Sequence, residues 1–267
     1  MKTVLENDEI TSYRNNGYLA VDLLDHAELE MWRQAVDKAV SETLARDSTD
    51  PGVYRNVERG YYSRVFVQCV NLWKTNGYVR EIVLDRRLGK MATEISGSTG
   101  VRLYHDHALI KEPWANPTNF HVDNPMDPFY SDRATMLWVA LDDATIQNGC
   151  LYFLPGSHRT SRLDITGELG QAGIGDLIES YPEWADIEPD PVEIEAGSAI
   201  FINGMTAHAA GPNMTLHPRR AFAMLFMPKD AVFNGKRSAL PENVFNRLEE
   251  GDLLADDTHL PLLYSTN

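Results

Sequence analysis

The chain has 267 residues, two cysteines, and 39 acidic against 24 basic residues, for a formal charge of −15. That balance argues against nucleic acid or an anionic membrane as the main partner, and two cysteines imply no disulfide framework. No apolar run approaches the ~20 residues that span a bilayer, and the charged stretch Met1 to Asp8 does not read as a secretory leader. A soluble, cytoplasmic protein with a small-molecule substrate is expected, its oligomeric state left open.

In chain order, Asn7 to Asn16 reads as a short helix capped by Asn7 or Asp8. Gly17 to Val21 reads as a strand. Asp25 to Arg46 is the strongest helix signal: Asp25 and Glu28 can form a capping box, and Leu29, Trp32, Ala35, Val36 and Ala39 follow helical spacing. Asp47 to Tyr62 is polar and contains Pro51-Gly52, as a loop would. Val65 to Trp73 is apolar and fits helix or strand. Tyr78 to Leu84 and Arg86 to Ile95 read as two helices, the second ending near Gly97.

The character then changes. Val101 to Ile110 alternates, with Val101, Leu103, His105, His107 and Leu109 on one face. Ala134 to Leu141, Cys150 to Leu154, Val192 to Ile194, Ala199 to Ile202 and Arg219 to Met227 are further short strands, punctuated by Gly and Pro. This is mainly β with flanking helices, the pattern of a barrel or a two-sheet jelly roll. The expected organisation is one domain over 1–267: residues 1–100 a largely helical support, 101–228 the barrel core, and 160–190 a glycine- and acid-rich insertion or lid. Pro241 to Glu250 reads as a short helix, and the tail to Asn267 carries no signal.

Chemistry concentrates at His121-Val122-Asp123. On a strand, residues i and i+2 share a face, so an imidazole and a carboxylate can reach one metal. His208, 85 residues after Asp123, can complete three ligands on one face of an octahedron, the arrangement of non-haem Fe(II) sites that activate oxygen. Each residue also has a structural alternative, a satisfied buried histidine or a turn-capping carboxylate. His105 and His107 form a competing H-x-H that could hold zinc, though no further ligand clusters near them.

Arg219 and Arg220 face opposite ways on a strand. Arg219 shares parity with Ala221, Ala223 and Leu225, Arg220 with Phe222, Met224 and Phe226. Small residues leave room in a cavity, so Arg219 is the inward one, and an inward Arg calls for a carboxylate.

These segments together resemble the phytanoyl-CoA dioxygenase (PhyH-like) family of Fe(II)/2-oxoglutarate-dependent oxygenases. The resemblance rests on Leu109 to Pro113, His121-Val122-Asp123, Trp138 with Asn148-Gly149-Cys150-Leu151, Leu154 to His158, and His208 through Arg220. It implies a double-stranded β-helix, a jelly-roll, cupin-like barrel. It implies His121, Asp123 and His208 as the catalytic iron ligands, with Arg219 on the far carboxylate of 2-oxoglutarate. Trp138 and His107 would line the cosubstrate pocket, although His107 departs from the family's usual residue. The implied cofactors are Fe(II), 2-oxoglutarate and O2. The implied reaction is hydroxylation or another oxidation of an aliphatic C–H, with release of succinate and CO2. Asp123 separates this chain from related halogenases, which carry a small residue there. Asn119, Asn124, Phe129 and Tyr130 are candidate substrate contacts, and a secondary metabolite or small acid is the expected substrate class. The alternatives are a metabolite-binding barrel without turnover and a zinc-dependent barrel enzyme.

Overall fold

The computed structural model describes residues 1–45, 61, 64–165, 167 and 176–266. The Asp47–Tyr62 loop, Tyr61 apart, and the middle of the 160–190 insertion lie outside the described residues.

The expected helices form. α1 (Asn7–Asn16) begins one residue earlier than its expected caps: Glu6 is the N-cap, and its N–H donates to the Glu9 carboxylate at 2.8 Å. α2 (His26–Ala45) carries the Asp25/Glu28 capping box, each backbone N–H donating to the other side chain at 2.9 and 3.1 Å. α3 (Gly77–Val83) is capped by Asn76, and α4 (Arg86–Ser96) by Asp85 at its start and Gly97 at its end.

Two antiparallel sheets follow from the alternating segments. The larger has seven strands in the order β1-β8-β5-β10-β3-β11, with β2 also on β3. These are β1 (Tyr18–Asp22), β2 (Val67–Val70), β3 (Gly100–Lys111), β5 (Thr135–Ala140), β8 (Ser198–Asn203), β10 (Arg219–Pro228) and β11 (Leu262–Ser265). The smaller, in the order β4-β9-β6-β7, comprises β4 (Thr118–His121), β6 (Leu151–Phe153), β7 (Asp190–Val192) and β9 (His208–Ala210). Both sheets together make the jelly-roll barrel.

Parity decides what each face covers. On β5 and β10, Leu137, Val139, Phe222, Met224 and Phe226 join the core with Leu29, Trp32 and Val36 of α2. Trp32 meets Phe222 edge-on, ring centroids 6.3 Å apart. Burial of each such aromatic side chain contributes roughly 2–3 kcal/mol. The alternate residues Met136, Trp138, Ala221 and Ala223 face inward with Leu151 and Phe153 of the smaller sheet.

Several expectations change. Val65 to Trp73 resolves into β2 followed by a 3-10 turn, Leu72–Lys74. That turn starts on Asp106, whose buried carboxylate accepts the N–H groups of Leu72 and Trp73 at 2.9 and 3.2 Å. The single face expected for Val101 to Leu109 is broken. The β3–β10 register slips between Leu225 and Phe226, leaving Tyr104 as the extra residue. A bulge reverses parity. Val101 and Leu103 therefore join the helix-side core, while His105, His107 and Leu109 line the interior. The strand expected at Val192–Ile194 sits at Asp190–Val192, and Ile194 instead bridges Ala144. The unassigned tail supplies β11, and the first hundred residues supply β1 and β2 to the sheet as well as helices. The helix expected over Pro241 to Glu250 is a single turn, α6 (Glu242–Phe245). In the insertion, α5 (Asp176–Ser180) and the turn Pro182–Trp184 bury Tyr181 and Trp184 against Val122, Met205 and Ala207.

Candidate active site

His121 ends β4 and His208 begins β9, and the antiparallel register sets them directly opposite each other. Their ring centroids are 4.3 Å apart. Asp123 is not on the strand, as the i, i+2 argument supposed. Its backbone is already helical (φ −72°, ψ −50°) and leads into the 3-10 turn Asn124–Met126. The turn, rather than strand parity, swings its carboxylate back to the imidazoles.

The protein fixes both rings. His121 Nδ1 lies 2.9 Å from the Asn119 carbonyl and His208 Nδ1 lies 3.0 Å from the Thr206 carbonyl. A carbonyl only accepts, so each Nδ1 carries the proton and each Nε2 presents a lone pair. Those Nε2 atoms lie 3.3 and 3.7 Å from the two Asp123 oxygens. The three donor atoms fall within 4.8 Å of one another, the single such group of His, Cys, Asp and Glu among the described residues. Asp123 Oδ2 is buried and accepts no hydrogen bond among the described residues. Burial works to raise the Asp123 carboxyl, but the His208 and His121 rings hold it well below the usual carboxylate range. Burial, with the neighbouring His121, pushes His208 down to about 4, so the ring is neutral at physiological pH. Two imidazole Nε2 atoms and a carboxylate with one unpartnered oxygen suit a divalent iron. His105 and His107 lie outside this group, and no third ligand joins them among the described residues.

The cavity beside the triad holds about 220 Å³. Trp138, Met136, Leu109 and Leu151 give it an apolar wall, and Gln68, His107 and Thr118 give it polar points. His107 Nδ1 is 3.1 Å from Gln68 Nε2, while its Nε2 and the Thr118 hydroxyl are buried without a hydrogen bond.

Arg219 is inward, as its parity predicts, and has no solvent exposure. One terminal nitrogen donates to the Gly149 carbonyl at 3.2 Å, while Nε and the other terminal nitrogen have no partner among the described residues. Its guanidinium lies 5.0 Å over the Trp138 ring. Arg220 faces out, paired with Asp142 and Asp37 at 2.6 Å. A buried guanidinium with unmade donors is costly, and a carboxylate would meet them bidentately.

The four candidate substrate contacts do not line the cavity. Asn119 serves through its carbonyl on His121. Asn124 is fully buried and holds its own turn, accepting from Ser131 N and donating toward Asp127 and the Phe129 carbonyl. Phe129 is core beside Tyr104, and Tyr130 is an exposed residue under the Lys236 ammonium. The wall is instead supplied by Gln68, His105, Asp127, Leu225 and Ser238. Asp127, four residues beyond Asp123, was within reach of a sequence argument. Ser238, after the last barrel strand, carried no signal.

Fold and site together define a non-haem iron, 2-oxoglutarate-dependent oxygenase. The chain belongs to the phytanoyl-CoA dioxygenase (PhyH) family, whose model matches residues 13–221. It is 24% identical over 236 residues to a methylphosphonate hydroxylase of Gimesia maris, covering 88% of this chain and 84% of that one. A mouse phytanoyl-CoA dioxygenase domain-containing protein 1 is 33% identical over 97 residues, 36% of this chain; the match spans about a third of that relative's length. Among solved structures, the non-haem α-ketoglutarate-dependent carbocyclase SnoK from nogalamycin biosynthesis superposes with a TM-score of 0.78 at 25% identity, covering 97% of each chain. The epimerase SnoN, in complex with Fe3+, α-ketoglutarate and nogalamycin RO, gives 0.75 at 26% identity, covering 96% of this chain and 98% of that one. No helix among the described residues is long and apolar enough to cross a membrane.

Proposed function

We propose that this chain, acting as one catalytic domain in the cytoplasm, hydroxylates or otherwise oxidises an aliphatic C–H of a small organic molecule, such as a secondary metabolite. His121, Asp123 and His208 would hold the iron, and Arg219 would receive the distal carboxylate of 2-oxoglutarate, with Trp138 and His107 along its length. When bound, iron and cosubstrate supply the oxidising chemistry, with 2-oxoglutarate leaving as succinate and CO2.

The protein's own contribution is orientation. The carbonyls of Asn119 and Thr206 keep both Nε2 lone pairs turned inward. The Arg219 donors fix the cosubstrate's far end, and Trp138 and Met136 keep water from the reacting face. The presence of Asp123 supports oxidation rather than halogenation, because it would give iron a carboxylate where related halogenases carry a small residue.

The observation that carries this reading is the buried donor group of His121, Asp123 and His208, with one carboxylate oxygen unpartnered, together with a buried Arg219 that has two nitrogens unpartnered among the described residues and lies 5.0 Å over Trp138, a wall residue of the same cavity. Anaerobic addition of Fe(II) and 2-oxoglutarate is expected to give a visible charge-transfer band. A panel of small molecules, with succinate as readout, would then identify the substrate. If wild-type protein gives no band, the reading fails, and a binding barrel without turnover takes its place.

A further inference from the structure

The cavity has two chemically different ends. Arg219 stands behind the wall at one, 5.0 Å over the Trp138 ring. Six residues along β10, about 20 Å at strand rise, Leu225 marks the other, where His105, Met126, Asp127 and Ser238 complete the wall. Asp127 is 6% exposed. Its Oδ2 accepts a single long hydrogen bond from Asn124 Nδ2, 3.3 Å. No lysine or arginine among the described residues forms an ion pair with it. The cation whose charge reaches it, Lys236, donates instead to the Pro125 carbonyl at 2.6 Å and lies 5.0 Å over the Tyr130 ring. The carboxylate of Asp123 adds a second negative charge nearby. On the same wall, His105 is buried.

We propose that this end of the cavity is a substrate subsite for a protonated amine, with Asp127 as the receiving carboxylate and His105 as a neighbouring polar contact. The proposal rests on the oxygenase reading above and deepens it by naming a substrate class. A buried carboxylate without a counter-charge is costly, and burial, then the Asp123 charge, raise the Asp127 carboxyl well above its ordinary range; an ammonium supplies the missing charge and three donors, and with it the carboxyl can give up its proton. A hydroxyl supplies no charge. An anionic group such as a phosphonate or a second carboxylate would meet the Asp123 charge, with no free cation among the described residues of this wall. The chain's −15 charge also draws cations toward it.

The test uses protein loaded anaerobically with Fe(II) and 2-oxoglutarate. It is titrated with cyclohexylammonium, cyclohexanol and cyclohexanecarboxylate, three probes of matched size, and binding is read by calorimetry and by the visible band. The ammonium is expected to bind about tenfold more tightly than the alcohol, the difference between a charge-assisted and a neutral hydrogen bond, and the carboxylate least. Asp127→Asn is expected to bring the ammonium to the alcohol's level. Equal binding of all three probes, no ammonium binding at tens of millimolar, or an ammonium preference that survives Asp127→Asn overturns the proposal. The order of the three probes on wild-type protein decides the matter even where the variant does not fold. Absence of the band in wild type overturns the underlying oxygenase reading and this proposal with it; a normal band without ammonium preference overturns the subsite alone.

Discussion

Lys111 and Arg219 stand opposite each other across the β3–β10 pair, both without solvent exposure and neither ion-paired to a carboxylate among the described residues. The Lys111 ammonium donates to the Asn116 carbonyl at 2.6 Å and lies 4.5 Å from the Phe66 ring, which Arg219 also approaches, at 5.9 Å. Burial, and then the Arg219 charge, push Lys111 down to about 7. The folded state thus favours the uncharged amine. Stability from this group is fully present above its ordinary value of 10.5 and is lost as pH falls through about 7. A bound carboxylate reverses the preference by adding a counter-charge. The KM for 2-oxoglutarate is therefore expected to rise as pH increases above about 7, and Lys111→Met to flatten that rise. Steady-state succinate formation across this range checks it; an unchanged profile in Lys111→Met means that the lysine does not sense the anion.

Arg219→Met removes the guanidinium itself. A hydrogen bond to a charged group contributes about 1.5–3 kcal/mol, so the KM for 2-oxoglutarate is expected to rise roughly 10- to 150-fold. Titration of the anaerobic visible band gives the same comparison as a dissociation constant.

Asp123→Ala deletes the only anionic member of the donor group. The variant is expected to lose the Fe(II)/2-oxoglutarate band and succinate formation, with far-ultraviolet circular dichroism unchanged. A band of wild-type intensity would show that the ligand set is wrong.

Gly149 sits at φ +94°, and an added Cβ would lie 2.6 Å from both the Gly211 carbonyl oxygen and Lys111 Cδ. Its own carbonyl is the acceptor for Arg219. Gly149→Ala is expected to cost about 2–4 kcal/mol through backbone strain and overpacking, and to weaken 2-oxoglutarate binding as well. Urea unfolding and band titration separate the two effects.

Leu263 in β11 is 3% exposed and packs on α4, where an added Cβ on Gly89 would meet it. Leu263→Ala is expected to destabilise by about 2–4 kcal/mol without changing the KM for 2-oxoglutarate, because the side chain lies in the helix-side core, away from the cavity. Urea unfolding and succinate kinetics check both halves.

Where a residue's neighbours along the chain determine its surroundings, sequence reasoning succeeded. The alternation of Ala221 and Ala223 with Phe222 and Met224 correctly turned Arg219 inward, because a regular strand preserves parity. The same logic failed at Tyr104, where one extra residue reverses the face and nothing local announces it. The facing of His121 and His208 was legible as three donor types at workable spacing. The swing of Asp123 was not, because it depends on a turn held by the buried Asn124. β4, β9 and β11 are three or four residues long and draw their stability from partners distant in sequence, so no window of sequence displays them. The substrate wall suffered most: Gln68, Asp127 and Ser238 come from three separate segments that only the closed barrel brings together.

Gly17 adds a matter of timing. Its carbonyl accepts from Asn203 N at 2.8 Å and from the Thr206 hydroxyl at 2.9 Å, and β1 beside it pairs with β8, about 180 residues further along. At roughly 5–20 residues per second of synthesis, β1 waits on the order of ten seconds or more for its partner. The Thr206 carbonyl that orients His208 belongs to that same late loop. A nascent chain therefore carries His121 and Asp123 well before His208 and its orienting carbonyl emerge, and the three-donor group assembles only late in folding.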